Sequence, residues 1–173
     1  LYATYARLRM DPLGISDRPP PAPGNYDLLL IGDSLAAHWP IPDAAALNLG
    51  IPSQTSAQVL HRSTLLDPGV QAATTLICVG GNDLKILRVN PDLSATVVST
   101  ALTNIRAILR QSRHRSAHVF IMTVPPMYTV PFYLKPFRFT QTMLSSLKTL
   151  NRGIRTVARR AILGEDGLAA RQH

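Results

Sequence analysis

A chain of 173 residues is long enough for one domain with a core of its own. Hydrophobic residues make up 46% and charged residues 16%, which excludes a disordered chain, and no apolar run reaches the roughly 18 to 20 residues of a membrane span. A net charge of +8 raises nucleic acid as a partner, but the basic residues are spread along the outer faces of expected helices without any nucleic-acid motif, so no nucleic-acid partner is expected.

Residues 1–25 read as an irregular segment that ends in a proline-rich connector, "DRPPPAPGN". Residue 1 is leucine, and a targeting segment upstream is left open, so the compartment is not assigned. One domain is expected over residues 26–173. "YDLLLIG" (26–32) reads as a buried strand closed by glycine, and "AALNLG" (45–50) as a weaker one. "SQTSAQVLHRSTLL" (53–66) has helical character, with Ser53 or Thr55 as its cap. "TTLICVGG" (74–81) is a third buried strand, in which the single Cys78 reads as an inert thiol. Asn90-Pro91 starts a helix whose Val98, Ala101, Leu102, Ile105, Ile108 and Leu109 keep helical spacing. "AHVFIMTV" (117–124) is a fourth strand, stopped by Pro125-Pro126. Thr140 is the expected cap of a last helix with Met143, Leu147, Leu150, Ile154 and Val157 on one face, ended by Gly164.

Strands that are apolar on both faces and alternate with helices predict a parallel sheet covered on both sides. Ligands of such sheets bind at the carboxyl ends of the strands. Three of those ends carry Gly32-Asp33-Ser34, Asn48-Leu49-Gly50 and Gly80-Gly81-Asn82-Asp83. Each is also an ordinary turn when read alone. Together they hold what acyl transfer from an ester needs: a hydroxyl nucleophile in Ser34, and donors to an oxyanion in the N–H groups of Ser34 and Gly50 and the amide of Asn82. Each such donor contributes about 3 kcal/mol to the transition state. Asp33, His38 and Asp83 stand beside these groups as candidate substrate contacts.

The series "IGDSLAAHW", "NLGIPSQTSAQVLHR" and "VGGNDL" resembles the first three sequence blocks of the GDSL/SGNH hydrolases, small serine esterases and lipases. The detailed resemblance spans about residues 26–84, and the strand–helix rhythm extends it to about 160. It implies a three-layer α/β/α, flavodoxin-like fold with a parallel sheet of four to five strands. It also implies Ser34 as nucleophile, an oxyanion hole from Ser34, Gly50 and Asn82, a small-molecule, lipid or sugar ester as substrate, and no cofactor. Asp33 belongs to the motif without being the triad acid.

The family's last block, an Asp-x-x-His, has no counterpart here. Asp166-Gly167-Leu168 is similar to its start, but alanine follows, and the remaining histidine is the terminal His173. Either the domain is shortened at its C-terminus or another residue supplies the base; Asp166 and His173 are the remaining candidates for the pair. Without a competent base, the same fold would serve as a binding or interaction module. A phosphate held at the glycine-rich strand ends is a third reading. "PPMYTVPFYLKPFRF" (125–139) carries five aromatic residues, among them Tyr128, Phe132 and Tyr133, and is read either as a core cover or as an acyl-binding wall. No histidine, cysteine and carboxylate cluster has metal-ligand spacing. Oligomeric state is not legible.

Overall fold

The apolar runs at 28–32 and 76–78 sit side by side because each can bury both of its faces only inside a sheet. The computed structural model describes residues 21–41, 45–126 and 141–164. Strands β1 (Gly24–Gly32), β2 (Ala46–Gly50), β3 (Val70–Cys78) and β4 (Ser116–Ile121) form one sheet in the order β2-β1-β3-β4. Every neighbouring pair is parallel, with Gly32 opposite both Gly50 and Cys78. The chain steps outward from β1 to β2, then returns past β1 to β3. The reversal falls between the carboxyl ends of β1 and β3, where an open α/β sheet leaves a crevice.

Helices α1 (Ser34–Ala37), α2 (Ser56–Thr64) and α3 (Ser94–Arg113) make the crossovers and α4 (Gln141–Ile162) follows β4, with 3₁₀ turns at Asn82–Arg88 and Pro91–Leu93. Leu29, Ile31 and Ile77 point to one face and meet Val59 of α2, Ile105 and Ile108 of α3, and Leu150 and Ile154 of α4. Each of these fully buried side chains contributes about 1.5–3 kcal/mol through loss of apolar surface to water. Leu30 and Cys78 point to the opposite face and meet Ala36 of α1. The fold is therefore α/β, a parallel four-stranded sheet with helical layers.

The last helix follows its sequence spacing. Met143, Leu147, Leu150, Ile154 and Val157 are all buried, and Gly164 ends the helix at φ +73 with its N–H on the Ala161 carbonyl. Thr140 lies outside the described residues. In α2 the cap is Thr55, whose N–H donates to the Gln58 side chain at 2.9 Å.

Four departures from the sequence expectation have physical reasons. β1 is fully buried only from Leu29 onward, because β2 begins opposite Leu28 and leaves the first residues beside an open edge. β3 starts at Val70, where it finds Gly24 as a partner. β4 stops at Ile121; beyond it, Val124 exchanges two hydrogen bonds with the Asn151 side chain, 2.9 and 2.8 Å, and so joins α4 instead of a strand. β4 is not buried on both faces, since Phe120 on this edge strand is 60% exposed.

Candidate functional site

At the end of β1 the backbone is drawn against β3. A methyl group at Gly32 would run into the Cys78 carbonyl, which is why glycine stands there. Asp33 N–H then donates to that same carbonyl at 3.0 Å. The Asp33 side chain turns back and accepts the Leu35 N–H at 2.9 Å, capping the single turn α1. Ser34 is the first residue of that turn and is half-buried, while Asp33 is 2% exposed. Four residues on, His38 places Nδ1 at 2.8 Å from the Ser34 carbonyl oxygen. A carbonyl only accepts, so Nδ1 is the donor, and in the neutral imidazole Nε2 is then the acceptor.

Gly50 closes β2 against α1, where a methyl group would collide with the Ala36–Ala37 backbone. Its N–H donates to Asn48 Oδ1 at 2.8 Å, and Asn48 Nδ2 donates to the Ala36 carbonyl at 2.8 Å. The chain then turns through Ile51-Pro52-Ser53-Gln54, closed by the Gln54 N–H on the Ile51 carbonyl at 3.5 Å. Proline in the second position and a positive φ of 69° at Ser53 in the third make the type II pattern, in which the third position favours glycine. Serine bears this conformation at a cost of about 1–2 kcal/mol.

After β3, Gly80 takes φ +119 and the chain enters the first 3₁₀ turn at Asn82. Asn82 Nδ2 donates to the Gln54 carbonyl at 2.9 Å and to Asp33 Oδ2 at 3.3 Å. One carboxamide thus joins the segments that follow β1, β2 and β3. Asp83 accepts the Ser56 N–H and hydroxyl, and Asn104 Nδ2 donates to the same Ser56 oxygen at 3.0 Å. From α2, Arg62 Nε donates to Gln54 Oε1 at 2.7 Å and Nη2 to the Gly32 carbonyl at 3.2 Å.

Burial sets the electrostatics. It raises the Asp33 carboxyl above the ordinary value of 3.8; the Leu35 N–H opposes the rise and the nearby Asp83 charge adds to it. Burial also raises Asp83, against the two bonds from Ser56. The Cys78 thiol is pushed up to about 12, first by burial and then by Asp33, which makes it a poor nucleophile at neutral pH.

The sequence-derived candidates separate into three groups. Ser34, Asp33, Asn82 and Asp83 lie within one hydrogen-bonded neighbourhood, and Gly50 adjoins it through α1. Among the described histidines, His38 touches Ser34, whereas His61 is exposed on α2, His114 caps α3 and His118 lies within β4 opposite Thr74. Asp166, His173, Tyr128, Phe132 and Tyr133 lie outside the described residues. Ser53, Gln54, Ser56, Arg62 and Asn104 escaped sequence reasoning as members of the neighbourhood. Pro52 before Ser53 was the one local signal of the turn; the others are joined by contacts that spacing does not reveal.

A family model described as the GDSL-like Lipase/Acylhydrolase family matches residues 30–164. No curated protein sequence matches the chain. Among solved structures, a GDSL-like lipase from Bacteroides thetaiotaomicron superposes with a TM-score of 0.59 at 19% identity, over 93% of this chain and 76% of that one. A catalytic mutant of an acetylxylan esterase from Geobacillus stearothermophilus, with a serine replaced by alanine, gives 0.57 at 16% identity, over 79% and 73%. A second catalytic mutant of that esterase, with a histidine replaced by alanine, gives 0.57 at 16% identity, over 78% and 72%. At these identities the likeness is one of fold.

Proposed function

The chain belongs to the GDSL-like lipase/acylhydrolase family, and from that membership we propose that it hydrolyses acyl esters through Ser34. The Ser34 hydroxyl attacks the acyl carbon, the alcohol leaves with a proton, and water releases the acyl group from the serine. No cofactor enters these steps. The observation that carries the reading is the position of Asn82, whose amide bonds both Asp33, the neighbour of Ser34, and the loop after β2. A carboxamide there is a donor for the oxyanion of the tetrahedral intermediate, and the longer of its two bonds, to Asp33, is the one an oxyanion would replace.

The Ser34 N–H is a second donor in this reading. For the third we choose Ser53 over Gly50, because the Gly50 N–H is engaged by Asn48 Oδ1, while Ser53 sits in the turn next to the Gln54 carbonyl that Asn82 grips. Strained backbone of this kind gathers at working sites. Among the described histidines His38 adjoins Ser34, and the Nε2 of its neutral ring is a candidate acceptor for the Ser34 proton; Asp166 and His173 are the other candidates.

The test is replacement of Ser34 by alanine. Loss of p-nitrophenyl acetate hydrolysis and of fluorophosphonate labelling is the expected outcome, and undiminished turnover refutes the reading. A second reading, a binding module without hydrolysis, is favoured by the two internal bonds that already occupy the Asn82 amide. A folded wild-type protein that takes no fluorophosphonate label would decide for it.

A further inference from the structure

We propose that Arg62 is a positioning residue for the Ser34 site, a clamp that fixes the end of β1 to the loop after β2. The inference rests on the reading of Ser34 as nucleophile. Arg62 lies on α2, 30 residues beyond Gly32 and 8 beyond Gln54, the two residues it holds. Its Nε and Nη2, the two donors on one edge of the guanidinium, go to different acceptors: Gln54 Oε1 at 2.7 Å and the Gly32 carbonyl at 3.2 Å. Gln54 is 3% exposed, so its side chain needs this partner in place of water.

The bonds form a closed circuit. From Gly32 the path runs through Arg62 to the Gln54 side chain, from the Gln54 carbonyl to Asn82, and from Asn82 to Asp33, which follows Gly32 in the chain. The Ile51 N–H adds a bond to the same Gly32 carbonyl at 3.1 Å. Ser34 is attached to this circuit at Asp33, and the proposed donors Ser53 and Asn82 at Gln54. Arg62 is the one cation in the circuit and the one member that reaches it from the body of a helix. Its fork fits two acceptors at a fixed separation, which a lysine ammonium does not reproduce. Without it, nucleophile and donors stay present, but their mutual spacing is no longer fixed.

Displacement of reacting groups by about 1 Å costs on the order of a hundredfold in rate. Arg62→Ala is accordingly expected to lower kcat for p-nitrophenyl acetate by about that factor, with KM within about twofold. Arg62→Lys should recover part of the loss, and millimolar guanidinium should restore activity to Arg62→Ala but not to Ser34→Ala. Amide exchange gives a readout independent of activity: the Ile51 and Gln54 N–H groups should exchange faster in Arg62→Ala while the α3 amides do not. Unchanged kcat in a folded Arg62→Ala protein, unchanged exchange at these two amides, or a loss of activity that merely tracks the unfolded fraction overturns the clamp. Full activity in Ser34→Ala strikes the nucleophile reading instead, and the exchange result still judges the clamp.

Discussion

Asp83 accepts both the N–H and the hydroxyl of Ser56, at 2.9 and 2.6 Å, across 27 residues of chain. The pair fastens the first turn of α2 to the 3₁₀ turn that carries Asn82. Ser56 is fully buried, so its two donors have no access to water if the carboxylate is lost. Asp83→Ala is expected to cost about 3 kcal/mol in urea unfolding, and Asp83→Asn less, since it keeps one acceptor.

Asp33 gives the protein a pH dependence with a definite sign. Its carboxyl is raised in the folded state above the ordinary 3.8, chiefly by burial. Below 3.8 both states hold the proton and the group exacts no penalty. As pH rises from there through the folded value, the unfolded chain releases its proton first and stability falls; above the folded value the deficit is constant. The Tm of wild type minus that of Asp33→Asn should therefore decline between acid and neutral pH and then level off. A difference that grows with pH would contradict the burial of this carboxyl.

Ser53 is strained at φ +69. Glycine relieves that strain and loses some of the gain to its greater freedom when unfolded, so Ser53→Gly should raise stability by about 1 kcal/mol. Ser53→Val, β-branched, should lower it. Paired chemical denaturation curves check both signs.

Asn82 divides structure from chemistry. Its two bonds are worth about 1–3 kcal/mol of stability together. As an oxyanion donor it is worth about 10²–10³ in kcat. Asn82→Ala assayed where its melt shows a fully folded protein should show the larger, kinetic effect with little change in KM. A loss of only a few-fold would remove Asn82 from the oxyanion hole.

Much of the fold was legible because burial writes itself into local composition. "LLLIG" and "LIC" make the carboxyl ends of the two central strands, β3 stopping at Cys78 short of the expected Gly81, and the spacing from Met143 to Val157 matches the buried face of α4. The 3₁₀ turn after Gly81 leaves little trace in the sequence, since Leu84 and Leu87 supply only two buried positions, too short a run to announce a period. The site was legible in part. Ser34 and Asn82 stand out as polar residues that interrupt apolar runs, whereas Gln54 and Arg62 look like ordinary surface residues of a helix and its lead-in. Their partners lie 8 to 30 residues away, in contacts that only the crossover geometry brings about.

The two central strands are not neighbours in the chain: β2 and α2 intervene between β1 and β3. A nascent chain that has not yet emerged as far as Val70 can pair β1 only with the five-residue edge strand β2. Loop closure across that interval precedes any reward from the central pairing. Ser34, made before Asn82, acquires its surroundings only after the ribosome has delivered that residue.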